Sequence, residues 1–71
     1  MIYKIKVKGE LDQSWSDWLG NVQIVSERNE VGVLFTTLTV EITDQTILFG
    51  ILDRIRDLNF DLVNVIRRED E

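Results

Sequence analysis

From Ile2 to Val7 apolar and polar residues alternate, with Tyr3, Ile5 and Val7 on one side and Lys4, Lys6 and Lys8 on the other. A two-residue period is that of a half-buried strand. Gly9 then loosens the chain, and the rhythm changes. Over 11–20, Trp15, Trp18 and Leu19 fall at i, i+3 and i+4, one face of a short helix. Ser14 is the expected N-cap, Asp17 sits three residues on as in a capping box, and Gly20 is the expected C-terminal stop. So short a helix does not sustain itself, so the two tryptophans are expected to anchor it.

Val22–Glu27 reads as a second strand, Asn29, Glu30 and Gly32 as turn residues, and Val33–Thr43 as the longest strand, dense in β-branched side chains. Asp44 is a good N-cap for a second helix, whose apolar stripe is Leu48, Ile51, Leu52, Ile55 and Leu58. Asn59 suits a left-handed closure. Phe60–Arg67 is the last strand. The order β-α-β-β-α-β predicts an α+β, ferredoxin-like domain over 1–68: one four-stranded antiparallel sheet, both helices on one face, sheet order four-one-three-two. Residues 69–71 read as a charged tail.

That arrangement leaves one sheet face for water or a partner. Its expected members are Lys4, Lys6 and Lys8; Gln23, Val25 and Glu27; Val33, Phe35, Thr37, Thr39 and Glu41; and either Val63 with Val65 or Leu62 with Ile66. Glu41 and Asp61 are expected to face the lysine row. The interface candidates are therefore Val25, Val33, Phe35, Val63, Val65, Lys4, Lys6 and Lys8, joined by Phe49 as the exposed apolar residue of the second helix. So much apolar area on an open face points to self-association or another protein partner, the alternative being a monomer whose lysine stems and local charge pairs leave that face to water. Gly50 lies inside the second helix, where glycine costs about 1 kcal/mol; close packing by Trp15 or Trp18 is the expected reason.

Composition narrows the chemistry. The 71 residues support one domain; 44% are hydrophobic and 30% charged, as in a globular fold. Cysteine, histidine and proline are absent. Disulfides, cysteine nucleophiles, histidine triads and the usual zinc ligand sets go with them. No glycine pattern matches a phosphate loop. Asp12, Asp17, Asp44 and Asp53 show no convergent spacing, and capping explains Asp12 and Asp44. No catalytic residue, metal ligand or cofactor site is expected. A net charge of −5 disfavours nucleic acid and anionic membranes, and no stretch approaches a bilayer span. A cytoplasmic protein is the expectation.

The run Leu11-Asp12-Gln13-Ser14-Trp15-Ser16-Asp17-Trp18-Leu19, with Asp44-Gln45, Leu48, Gly50-Ile51-Leu52 and Ile55-Arg56-Asp57-Leu58, resembles a group of small uncharacterised bacterial proteins with LDxSWSxW and DQxxLxG(I/L)LxxIRDL motifs. The resemblance spans most of the chain and implies a small stand-alone protein without a known activity. The run from Gly50 to Val65 is also similar, more weakly, to ACT-type ligand-binding domains, in which the matching helix follows the first strand instead. The leading expectation is a non-enzymatic interaction module, homodimeric through its sheet face or second helix. The alternative is an ACT-like sensor holding a small ligand between subunits.

Overall fold

The computed structural model describes residues 1–19 and 22–68. The elements are β1 (Ile2–Lys8), α1 (Ser14–Leu19), β2 (Val22–Arg28), β3 (Leu34–Glu41), α2 (Gln45–Asp57) and β4 (Asp61–Arg68). All four strands form one antiparallel sheet in the order β2-β3-β1-β4. This is the predicted ferredoxin-like α+β topology, with β1 and β3 central and a short first helix. Gly20 and the 69–71 tail lie outside the described residues.

The alternation of β1 sets the layers. Tyr3, Ile5 and Val7 are buried, and β3 answers with Val40, Leu38 and Thr36 directly opposite. Leu11 and Trp15 cover them from the α1 side, Leu48, Ile51 and Ile55 from α2. Val22, Ile24, Leu52 and Phe60 pack at the margin. Thr36 is the one buried polar residue in this core and is satisfied: its hydroxyl donates to the Gly9 carbonyl (2.6 Å) and lies 3.0 Å from the Ser26 hydroxyl. Gly9 adopts φ +116°, and a Cβ there would meet the Phe60 ring at 3.1 Å.

Asp44 caps α2 as predicted, accepting a hydrogen bond from the Thr46 N–H (2.9 Å). The helix ends on a left-handed Asn59 (φ 67°), with Phe60 N–H donating to Ile55 and Asn59 N–H to Arg56, the paired bonds of a Schellman ending. Leu58 thereby becomes the C-cap and is exposed, so it drops out of the predicted stripe. Ser14 does not cap α1. Asp12 does that work, accepting from both the backbone N–H and the hydroxyl of Ser14, the first helical residue, two positions on. Trp15 anchors α1 at 4% exposure, whereas Trp18 stacks edge-to-face on it (5.7 Å) and remains 46% exposed.

Between β2 and β3, Asn29 organises the turn. Its side-chain oxygen accepts from Val31 N–H (3.0 Å) and Val33 N–H (2.9 Å). Gly32 takes a positive φ of 88° and Arg28 donates to its carbonyl (3.0 Å). Val33 therefore belongs to the turn, and β3 begins at Leu34.

Candidate functional site

The open face of the sheet is more polar than its sequence suggested. Register places Lys4, Lys6 and Lys8 opposite Thr39, Thr37 and Phe35. Lys6 lies over the Phe35 ring, its ammonium 4.9 Å from the centroid, and both residues are half-buried by the contact. A lysine stem and cation on an aromatic face stabilise by about 0.5–1 kcal/mol at an exposed site. The aromatic group is thus already covered. Glu41 turns to the Met1 amine (3.9 Å) instead of the lysine row, and Asp61 stands opposite Lys8. Val33 is half-buried, and Val25 remains 43% exposed.

The apolar surface lies elsewhere. β4 pairs with β1 through a bulge: Lys6 opposes Asn64 but Val7 opposes Leu62, so Val63 is the extra residue. Past it, Asn64 and Ile66 share the open face with the lysines, while Val65 lies opposite Ile5 on the helix side. Leu62, opposite Val7, is on the helix side as well. Neither predicted grouping, Val63 with Val65 or Leu62 with Ile66, survives the bulge, and Val65 is not an open-face residue. The bulge had a sequence signal, since the adjacent apolar pairs Leu62-Val63 and Val65-Ile66 break a strict two-residue period.

Although Val65 and Leu62 face the helix layer, α2 does not cover them. Every residue of β4 is exposed, among them Leu62, Val63, Val65 and Ile66. The buried stripe of α2, Leu48, Ile51 and Ile55, shares one core with the inward residues of β1 and β3, while the β4 side chains stay at its rim. At about 100° per residue, Phe49 and Leu52 lie on one flank of α2 and Ile47, Gly50 and Arg54 on the other. Trp18 shares a hollow with Ile47 and Gly50, so the second flank faces α1. Phe49, 58% exposed, consequently stands on the side of β4. The interface candidates thus separate: Lys4, Lys6, Lys8, Phe35 and Val25 lie on the open sheet face, Val33 falls in the turn before β3, and Phe49, Val63 and Val65 lie along the exposed rim.

A second apolar feature is that hollow, about 350 Å³, lined by Trp18, Thr46, Ile47 and Gly50. Nothing lies within 4 Å of where a Gly50 Cβ would be, so Gly50 is not there to admit a tryptophan. The guanidinium of Arg54 sits over the Trp18 ring at 4.9 Å, on the same flank.

Among the described residues no cluster of three or more carboxylates is placed to hold a metal ion. The Ser14 hydroxyl and then its N–H hold the Asp12 carboxyl below its ordinary value. The Thr46 N–H and then its hydroxyl do the same for Asp44. Carboxylates kept ionised by capping bonds suit helix starts and not proton donation at neutral pH. No helix among the described residues is long and apolar enough to cross a membrane.

Searches of curated proteins and of solved structures return no match. A family model does match, and over nearly the whole domain that carries both the sheet and the β4 rim. The chain belongs to DUF8691, a domain of unknown function, matched over residues 2–66.

Proposed function

We propose that this chain is a non-catalytic interaction module whose binding surface is the β4 rim with the adjoining flank of α2. The observation that carries the reading is β4 itself: an edge strand with every residue exposed and four of its eight side chains apolar. Such an edge offers unpaired backbone groups and dry side chains together. Self-association is part of the proposal, through the second helix and the sheet edge instead of the sheet face. The capped carboxylates and the absence of histidine and cysteine support a role without catalysis. Nucleic acid is disfavoured, because Lys6 already occupies the Phe35 ring on which a base would stack. A bacterial, cytoplasmic setting belongs to the proposal through the motif resemblance.

The test is a photoreactive residue at position 65 and, as control, at position 27 on the opposite edge. Adducts confined to 65 are expected. No adduct at 65, or equal yields at both, contradicts the reading. The ligand-sensor reading draws on the hollow beside Trp18; thermal stabilisation by a member of an amino-acid and nucleotide panel, lost in Trp18→Ala, is its signature.

A further inference from the structure

The sequence of β4 specifies what sits on it. We propose that β4 pairs antiparallel with β4 of a second copy of this chain, about a two-fold axis at residue 64, joining two four-stranded sheets into one. This rests on the interaction-module reading and names its partner.

An isologous interface must match itself under a two-fold rotation. The strand reads Asp61-Leu62-Val63-Asn64-Val65-Ile66-Arg67-Arg68, with an apolar pair on each side of Asn64, an acid at its start and bases at its end. Antiparallel pairing lays one apolar pair against the other and brings the acidic end of each strand toward the basic end of its mate. Parallel pairing stacks acid on acid and arginine on arginine, which is unfavourable. The pattern is therefore self-complementary in one direction only.

The helix layer agrees. A two-fold axis normal to the joined sheet sets the two α2 helices on the same side, each presenting the flank that carries Phe49 and Leu52. Leu62 and Val65 lie beneath, on the helix side of β4. One operation thus covers the exposed Phe49 and the exposed rim together. The remaining edge of the joined sheet is β2, which exposes Gln23, Ser26, Glu27 and Arg28 and one apolar residue, Val25, against four apolar residues on β4. β4 carries neither proline nor lysine, and 64–68 pair regularly with β1, with the bulge at Val63 beside the proposed axis.

Because the chain has no cysteine, single cysteines report the geometry cleanly. Asn64→Cys is placed at the axis, where opposed Cβ atoms come about 4.5–5.5 Å apart, close to disulfide range. Glu27→Cys on β2 is the control. Under mild oxidation Asn64→Cys is expected to link into a covalent dimer and Glu27→Cys to remain unlinked. Sedimentation equilibrium of the unmodified full chain is expected to show a monomer–dimer equilibrium. Val65→Lys is expected to weaken it by about tenfold or more, since it sets an ammonium group against the apolar residue 63 of the second copy. Circular dichroism shows that the variant is folded.

A chain that stays monomeric at every concentration overturns the proposal. So does a dimer in which Asn64→Cys stays unlinked and Val65→Lys changes nothing. In either case adducts to a different protein at position 65 would leave the module reading standing, and their absence would remove both.

Discussion

β2 and β4 are the two edges of the same sheet, each paired on one side and free on the other. β2 exposes Gln23, Ser26, Glu27 and Arg28 with one apolar residue, Val25, while its Val22 and Ile24 pack half-buried at the margin of the core. A structured turn and the Ser26–Thr36 contact hold its far half. β4 exposes four apolar residues, Leu62, Val63, Val65 and Ile66, beside the polar Asp61, Asn64, Arg67 and Arg68. Both edges leave the same kind of backbone groups free, so the difference lies in the side chains. β4 exposes the larger apolar area, although it also carries a bulge and charges at its ends, and the proposed pairing of β4 draws on that area.

Trp15→Ala breaks the β2 side most severely. The ring is almost fully buried and is the anchor of α1. Losing it is expected to cost about 3–5 kcal/mol, read by denaturant unfolding. Thr36→Val follows, at about 1–3 kcal/mol, because the Gly9 carbonyl and the Ser26 hydroxyl lose their buried partner. Gly50→Ala sharpens the contrast from the opposite direction: the site is open, so a gain of about 0.5–1 kcal/mol is expected. Val65→Lys, which weakens association, is expected to alter the unfolding free energy of the isolated protomer by less than about 0.5 kcal/mol.

The smallest effect is a pH dependence. The Asp44 carboxyl is held below its ordinary value in the fold, so its cap stabilises fully above that ordinary value of 3.8 and is lost as pH falls through the lower folded one. Asp44→Ala is expected to lower the melting temperature at neutral pH. Its gap to the unaltered chain closes in strong acid. Asp44→Asn keeps a good cap without a titrating group, so its contribution should be flat with pH.

Much of the architecture was legible because β1 alternates strictly and α2 repeats at helical spacing. Those two patterns fix which side of the sheet is dry, and Asp44 and Asn59 mark where α2 begins and ends. The site was less legible. An alternation rule cannot carry across a bulge, so the side-chain directions of Val63 and Val65 could not be read by counting. Nor does a helix's stripe say over which strands it rests, so the bare rim along β4 was hidden until α2 was placed. Covering of Phe35 by Lys6 depends on cross-strand register, which sequence spacing alone does not give. Gly50 misled for another reason: a helical glycine signals either a close approach or a gap, and here it is a gap.

Amide exchange, followed residue by residue as protein concentration rises, tests the asymmetry of the two edges directly. The account predicts that outward amides within 62–67 slow with concentration while those of 22–28 at the outer edge stay fast. Exchange that is equally fast and concentration-independent at both edges would contradict it.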